Sequence, residues 1–305
     1  MPASATLTRL QQIFPEDSRL FYVDCGARKG KLPRPFRVLK QAHYVGVEAD
    51  AHECRRLDAE ARPRHRYVQA VLGRAAETRT FRITRSPACA SLLQPNHAFL
   101  AQFREIAEGF EVECETAVQT VSLDECLEAN EVPRADFIEL DVQGGELEVL
   151  TGAARTLEGA VGIQAEVEFA PMYVGQPLFA DIDAFLRVRG FQLFDLSRYH
   201  VRRSGGTPTR GQLLWGHAVY LRDHRALAPD IAVRLAMVAD LLDFPDFAAD
   251  ILAAIAPTLP PDRQRHAARA LEAVRAIGEP TALGRLIDRI RPPADANRDR
   301  AVWRD

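Results

Sequence analysis

Four residues near the start of the chain have the types and spacing of a cofactor site. A short apolar segment runs into Asp24, a turn with Gly26 and Gly30 follows, and the next apolar segment ends in Glu48. Glycines let the backbone approach a ligand, and an acid ending the second strand of a Rossmann-like sheet binds ribose hydroxyls. This order predicts a site for a nucleoside-bearing cofactor, although both glycines also fit ordinary turns.

The charge of Asp24 distinguishes between two kinds of nucleoside cofactor. Asp24 stands where the pyrophosphate of NAD would have to lie, and a carboxylate repels a dianion but attracts the ammonium and sulfonium of S-adenosyl-L-methionine. We therefore expect S-adenosyl-L-methionine. Ala70 and Val71, which end the third strand, either line the adenine slot or pack in the core. The predicted cofactor-binding residues lie in the glycine turn and at strand ends: Asp24, Gly26, Ala27, Arg28, Gly30, Glu48, Ala49, Ala70, Val71, Asp141 and Gln143.

Three acids further along the chain are candidates for proton transfer. Asp141 ends the fourth predicted strand, beside the point where doubly wound sheets bind ligands. We expect Asp141 to hold the cofactor's ammonium or to accept a proton from the acceptor, unless it only caps the next helix. Glu166 and Glu168 alternate with Val167 and so share one face of the fifth strand, either in a site or at a solvated strand end.

Two polar residues complete the candidates. Gln143 follows Asp141 closely and can hydrogen-bond either ligand. His97 lies in a long connection, and imidazole suits general base catalysis near neutral pH, although a single loop histidine is more often a surface residue. The predicted catalytic residues are thus Asp141, His97, Glu166 and Glu168, and we expect no metal site.

The elements that must position these residues alternate between strand and helix over residues 1–225. Residues 147–157 and 182–189 predict helices, and 197–212 predict a hairpin that makes the last strand antiparallel. The long connection 80–127 is typical of a functional lid. The predicted strands, mostly continuous apolar runs, are 21–24, 44–48, 67–72, 136–141, 162–169, 191–196 and 217–221. The pattern predicts an α/β, Rossmann-like fold with a seven-stranded, mostly parallel sheet.

Residues 226–305 have a different texture. Apolar residues recur there at helical spacing and prolines separate the repeats, which predicts a C-terminal α-helical appendage of about four helices. A charged tail follows from Pro292. Because the apolar stripes must be buried, we expect these helices to form a homodimer or to dock a partner protein.

Composition excludes several functional classes. The formal net charge of −3 over 305 residues argues against a nucleic-acid binder. Five scattered cysteines without a Cys-x-x-Cys pair suggest reduced thiols. Neither a signal peptide nor a run of the ~20 apolar residues that a bilayer requires is present, so we expect a cytoplasmic protein without membrane partners.

Longer stretches of the chain resemble the FkbM family of S-adenosylmethionine-dependent methyltransferases. The resemblance rests on VDCGARKG at 23–30, TVSLD at 120–124, DFIELDVQGGELEVLTGA at 136–153 and AEVEF at 165–169, and it extends over about 21–221. It implies the class I methyltransferase fold. It also implies methyl transfer to a hydroxyl oxygen, on a sugar or glycosylated metabolite or on a polyketide.

The chain departs from the family pattern at two positions. Arg28 stands where the family usually has Asn, and Gln143 where it often has Glu. The first change affects the expected contact to the amino-acid end of the cofactor, and the second removes a carboxylate from the site. A catalytically silent binding module, with the helical appendage as its working part, is the alternative to an enzyme.

Overall fold

A computed structural model of the chain describes residues 19–28, 30, 32–33, 35–38, 41–205 and 210–278. The strands in these ranges are β1 Phe21–Cys25, β2 His43–Glu48, β3 His65–Gln69, β4 Val71–Leu72, β5 Thr78–Thr84, β6 Val112–Val121, β7 Phe137–Leu140, β8 Gly162–Glu168, β9 Phe191–Leu196, β10 Tyr199–Val201 and β11 Gln212–Arg222. The α-helices are α1 Ala51–Ala59, α2 His97–Leu100, α3 Arg104–Ala107, α4 Leu123–Ala129, α5 Glu146–Thr151, α6 Ala154–Gly159, α7 Phe179–Arg187, α8 Pro229–Leu241, α9 Pro245–Ile255 and α10 Pro261–Gly278.

The main sheet has the strand order β10-β11-β8-β7-β1-β2-β3, and β9 also pairs with β11. The central pairs, from β8 through β3, are parallel, whereas β11 is antiparallel to β8, β9 and β10. The predicted Rossmann-like sheet with an antiparallel last strand is confirmed. It has eight strands rather than seven, because the predicted hairpin contributes the short strand β10.

One face of this sheet is apolar and packs against helices. Side chains such as Val23 on β1, Val45 on β2 and Ile138 on β7 belong to one buried cluster. The same cluster contains residues of α4 to α7, including Leu127, Leu150, Leu157 and Leu186. Burial of this kind contributes roughly 25 cal/mol per Å² of apolar surface. The apolar face therefore holds the strands in place without any of the candidate acids, although the candidate residue Ala70 packs against it.

The opposite face of the sheet is rich in polar and aromatic side chains. Because residues in register project to the same side, the pairs Asp24–Glu139, Glu139–Gln164 and His217–Glu166 lie on one face. Tyr22 and Tyr44 are also a register pair on this face, and both are fully buried. The carboxyl groups of several strands are thus brought together on the side away from the apolar core.

Two predicted elements are each split by a tertiary contact. The third strand, predicted as 67–72, divides after Gln69, because Val71 and Leu72 pair with β6 rather than with β2. The predicted helix 147–157 divides at Gly152, whose carbonyl accepts a hydrogen bond from the Asp124 backbone N–H. A Cβ on Gly152 would lie 2.7 Å from two backbone carbonyl oxygens of the segment after β4.

The long connection is structured and folds over the end of β8 and β11. It contains β5, β6 and helices α2 to α4, and β4, β6 and β5 form a separate three-stranded sheet. Leu100, Phe103 and Phe110 from the connection share a second buried cluster with Tyr173 and Leu214. This packing holds the segment around residue 91 close to the segment that follows Asp141.

The chain divides into two compact units. One consists of Leu20–Lys31 and His43–Asp223, and contains the main sheet. The other includes the described residues of Leu32–Ala42 and of the chain from His224 to Gly278, with helices α8 to α10. The predicted fourth helix and the tail from Pro292 lie outside the described residues. Docking of a partner through these helices stays a prediction.

Gly216 gives a test of how closely β11 is packed. A Cβ at this position would lie 2.1 Å from the backbone oxygen of Ser197, so we expect Gly216→Ala to lower the free energy of unfolding by about 1–3 kcal/mol. Gly159→Ala is the control, because nothing lies within 4 Å of its Cβ position. Chemical denaturation should show the control unchanged or up to ~1 kcal/mol more stable. Equal effects of the two changes would contradict this packing.

Candidate functional site

The glycine turn after β1 is held against two neighbouring strands. The backbone N–H groups of Gly26 and Ala27 both donate to the Val47 carbonyl, at 2.9 and 3.1 Å. Gly26 has φ +101°, and a Cβ there would lie 2.0 Å from the carbonyl oxygen of Asp141. Only glycine fits this close approach, which joins the predicted cofactor turn to the segment after β7.

The far end of the turn is fixed by a tyrosine. Gly30 has φ +53°, and its carbonyl accepts a hydrogen bond from the Tyr67 hydroxyl at 2.7 Å. Tyr67 lies on β3, so three strands determine the path of the turn. The two glycines therefore meet the requirement inferred from their spacing, a backbone that passes close to whatever lies at the strand ends.

Glu48 ends β2 beside this turn. Glu48 is 5% exposed, and one of its carboxylate oxygens accepts a hydrogen bond from the Asp50 backbone N–H at 2.8 Å. Burial raises the pKa of Glu48, while the Asp50 N–H and the Arg28 charge oppose that increase. The Arg28 guanidinium lies 3.9 Å from the Asp50 carboxylate, so its charge is directed to this side of the turn. A fixed carboxylate of this kind fits a pair of ribose hydroxyls.

The three small residues predicted around the nucleoside, Ala49, Ala70 and Val71, have different partners in the structure. The Ala49 carbonyl accepts a hydrogen bond from the Gln69 side chain at 3.3 Å, and the Ala70 N–H donates to the Glu48 carbonyl at 3.1 Å. Ala70 packs against the main apolar cluster. Val71 is buried and belongs to the β4–β6 pair, and its contact with the adenine stays a prediction.

Asp24 lies in an acidic stretch of the sheet. It is 8% exposed and accepts a hydrogen bond from the Tyr44 hydroxyl. Burial, followed by the charges of Glu139, Asp141 and Glu48, raises its pKa, and the Tyr44 hydrogen bond counteracts this only in part. A positively charged ligand would relieve the repulsion, whereas a pyrophosphate would add to it. These residues fit S-adenosylmethionine.

Gln143 joins two of the predicted catalytic acids. Its amide nitrogen donates to Asp141 and to Glu166, both at 2.7 Å. Its amide oxygen accepts from the Tyr173 hydroxyl at 3.0 Å, and its backbone oxygen accepts from the Ser91 hydroxyl at 2.7 Å. A glutamate has no N–H to donate, so the departure from the family pattern at 143 has a physical reason.

Glu168 is the least compensated acid of the site. It is fully buried, and neither carboxylate oxygen has a hydrogen-bond partner among the described residues. Burial and the charge of Asp141 raise its pKa to about 7, and the Gln176 amide offsets part of that increase. Glu146 is also buried, but one of its oxygens accepts backbone N–H groups of Val142 at 2.8 Å and Gly144 at 3.3 Å.

His97 stands apart from these acids. It begins the four-residue helix α2, after the Asn96 side chain that caps it, and its own side chain is exposed. In the part of the chain that the structure describes, no side-chain contact joins His97 to Asp141, Glu166 or Glu168. The structure therefore brings together three of the four predicted catalytic residues.

A histidine other than His97 lies beside the acids. His217 of β11 is the register partner of Glu166, and Ser197 binds its backbone N–H at 2.8 Å. Ser91 and Tyr173 were also missed. The alternation of residues on β11 could have suggested His217, but only the register of the antiparallel pair places it opposite Glu166.

The described residues lack two other kinds of feature. No group of three or more His, Cys, Asp and Glu side chains has an arrangement that could hold a metal ion. Among the helices described, none is long and apolar enough to cross a membrane.

The chain is similar to methyltransferases in sequence and in fold. The family model for the methyltransferase FkbM domain matches residues 24–193. None of the curated proteins matches the chain. Magnesium protoporphyrin IX methyltransferase of Synechocystis, solved with bound S-adenosylmethionine, is 13% identical, with 72% of this chain and 78% of that chain covered at a TM-score of 0.36. The 1,6-didemethyltoxoflavin-N1-methyltransferase of Burkholderia thailandensis, solved with bound 1,6-didemethyltoxoflavin and S-adenosylhomocysteine, is 13% identical, with 72% of this chain and 79% of that chain covered at a TM-score of 0.32.

The backbone contact at Gly26 gives a test of cofactor binding. We expect Gly26→Ala to abolish measurable binding of S-adenosylhomocysteine in calorimetry, because its Cβ would collide with the Asp141 carbonyl. Gly190→Ala is the matched control, since Gly190 also has positive φ, +81°, but nothing lies within 4 Å of its Cβ position. The control should lose about 1 kcal/mol of stability and keep its affinity. Wild-type affinity in Gly26→Ala would contradict the assignment of this turn.

The buried acids predict how stability depends on pH. Glu139 and Glu168 both have a pKa of about 7, raised from an ordinary value of 4.5 mainly by burial. A raised pKa means that the folded state binds more protons than the unfolded state between these values, so stability falls as pH rises from about 4.5 to 7. We expect urea denaturation of the ligand-free protein to show this fall and Glu168→Gln to reduce it. Glu158 is exposed on α6, so Glu158→Gln should keep the wild-type dependence of the free energy of unfolding on pH.

Proposed function

Because the chain belongs to the FkbM family of methyltransferases, we propose that it transfers a methyl group from S-adenosylmethionine to a hydroxyl oxygen of a sugar or glycosylated metabolite. Methyl transfer from S-adenosylmethionine is the activity of the family. The choice of oxygen and of a carbohydrate acceptor is the proposal.

The division of the site supports this proposal. The glycine turn and Glu48 lie at the ends of β1 and β2, where they would hold the nucleoside and the amino-acid end of the cofactor. The cofactor supplies, when bound, a methyl group on a positively charged sulfur. Asp24 and Asp141 provide negative charge beside it, and we assign the ammonium to Asp141 because Gln143 fixes one of its oxygens at 2.7 Å.

The burial of the Glu168 carboxylate is the observation that best supports a hydroxylated acceptor. Neither oxygen of this buried carboxylate has a hydrogen bond of ordinary geometry among the described residues, and the Gln176 amide offsets only part of the cost of its burial. Further donors would lower its free energy, because buried polar groups need hydrogen bonds. Hydroxyl groups are such donors, and a sugar carries several. Glu166 and Glu168 share one face of β8, so adjacent hydroxyls of one ring can reach both carboxylates.

Enclosure of the acids also favours a hydroxylated acceptor. Ser91, Tyr173 and Gln176 reach the site from the long connection and from the segment after β8, and Tyr173 hydrogen-bonds the Cys89 carbonyl at 2.9 Å. An acceptor that enters beneath the connection leaves water behind and has its hydroxyl held near the methyl donor. Alignment of two reactants can supply ~7–11 kcal/mol of the barrier reduction.

A screen of acceptor classes tests the proposal. The full chain is incubated with S-adenosylmethionine carrying a labelled methyl group and with methyl glycosides, nucleotide-linked hexoses, polyketide alcohols, phenols and amines. We expect mass spectrometry to show O-methylated carbohydrate. Methyl transfer only to nitrogen, to a phenol or to a polyketide hydroxyl would contradict the sugar acceptor. Cofactor binding without transfer to any class would favour the silent binding module.

The role of Glu168 is tested by its isosteric amide. We expect Glu168→Gln to raise the KM for the carbohydrate acceptor about 10- to 100-fold, because a hydrogen bond to a charged group contributes ~1.5–3 kcal/mol. The Kd for S-adenosylhomocysteine should stay within about threefold of wild type. Glu158→Gln is the exposed control and should change neither constant. An unchanged KM in Glu168→Gln would contradict the contact to the acceptor.

A further inference from the structure

Strand β11 places one titratable ring on the acidic face of the sheet. His217 is directly opposite Glu166, and Trp215 is opposite Glu168. Residues two apart on a strand project to the same side, so the His217 ring and both carboxylates share one face. Cross-strand partners have Cβ atoms about 4.5–5.5 Å apart, which puts the imidazole within reach of a group bound between Glu166 and Glu168.

The surroundings of His217 hold its ring in position. The Ser197 hydroxyl accepts the His217 backbone N–H at 2.8 Å, and the Ser197 N–H donates to the His217 carbonyl at 2.9 Å. The ring of Tyr199 stands edge-on to the imidazole, with centroids 5.6 Å apart and planes at 90°. Tyr199 also stacks on Trp215, at 5.5 Å. The ring therefore has a defined orientation on the strand.

Two of the acids beside His217, Asp141 and Glu166, are less suited to take a proton during the reaction. Asp141 and Glu166 each have an oxygen occupied by the Gln143 amide, at 2.7 Å in both cases. Asp141 also has the charge that the cofactor's ammonium requires. A hydroxyl bound by Glu166 or Glu168 has its oxygen close to His217, so the histidine can reach the proton that must leave.

The charges around His217 suit a group that gains a proton. Burial lowers its pKa from 6.5, and Asp141 opposes that shift, so the imidazole is neutral at pH 7 and able to accept. The ionisable groups near it are Glu166 and Glu168 on β8, Asp141 after β7, Tyr199 on β10 and Asp195 on β9, opposite Val219. Of these groups, Asp141 raises the pKa of His217 and would stabilise an imidazolium once it forms.

We infer that His217 is the general base of methyl transfer and takes the proton of the acceptor hydroxyl held between Glu166 and Glu168. As the oxygen forms its bond to the methyl carbon, the hydroxyl proton passes to an imidazole nitrogen of His217. The electron pair of the broken carbon–sulfur bond stays on sulfur, which leaves neutral S-adenosylhomocysteine. This inference rests on the proposed O-methylation and replaces the sequence-based candidates His97 and Asp141 as the base.

The test uses the full chain, with methyl glycosides of glucose and rhamnose as acceptor probes. We expect His217→Gln to lower kcat by about 10²- to 10⁴-fold and to leave the Kd for S-adenosylhomocysteine within threefold of wild type. The control His200→Gln, on neighbouring β10, should keep wild-type kcat. Added imidazole should restore part of the turnover of His217→Ala, because it can replace the missing ring.

The pH profile separates a base from a merely structural histidine. Wild-type kcat/KM should fall with acid below pH 6.5 as His217 becomes protonated, and this limb should be absent in His217→Gln. If turnover is lost without imidazole rescue and the acid limb remains, the inference is overturned. It is also overturned if His217→Gln keeps kcat within fivefold of wild type, or if Asp141→Asn loses only turnover and keeps its cofactor affinity.

If His217→Gln does not fold, NMR of the imidazole in the wild-type protein decides the question. The His217 signal should shift and change its pKa when S-adenosylhomocysteine and a methyl glycoside bind together, and no change would overturn the inference. Failure of the proposed function has a different signature. In that case the acceptor screen shows methyl on nitrogen or none at all, whereas failure of this inference leaves O-methylation intact in the His217 variants.

Discussion

The site depends on one amide that holds two negative groups together. Asp141 follows β7 and Glu166 lies on β8, and two carboxylates this close repel each other unless a donor lies between them. The Gln143 amide nitrogen bonds both at 2.7 Å, while Tyr173 and Ser91 hold the amide oxygen and the backbone of Gln143. Through this bridge the end of β7, strand β8 and the long connection are fixed relative to one another.

The two faces of the main sheet have different roles, one in folding and the other in the candidate site. The face with Val23, Val45 and Ile138 packs against α4 to α7 and provides apolar burial. Its opposite side carries Asp24, Glu139, Glu166 and other polar groups whose burial costs free energy. Apolar packing on one face stabilises the sheet, and the sheet can then position buried acids on its other face. Burial raises the pKa values of these acids, which shows that keeping them charged there costs free energy.

A comparison of two buried acids, Glu146 and Glu168, indicates where an acceptor would bind. Glu146 is as deeply buried as Glu168, but it accepts two backbone N–H groups and so stabilises the loop after β7. Glu168 has no such partner in the described chain. The first acid has a structural role that the folded chain satisfies by itself. The second is compensated only in part, by the Gln176 amide, and can accept donors from a bound ligand. That contrast connects the fold to a hydroxylated acceptor.

The sequence by itself determined the parts of this protein that depend on local patterns. Apolar runs identified the parallel strands, and the order Asp24, Gly26, Gly30 and Glu48 identified the cofactor turn, because backbone conformation and charge at these positions follow from residue type. Only the tertiary structure decided which side chains meet. Splitting of the third strand, the hydrogen bond from Gln143 to Glu166 and the pairing of His217 with Glu166 depend on contacts between residues 23 to 51 positions apart or on β-strand register. Such contacts leave no periodic signal in one sequence, which is why His97 was favoured over His217.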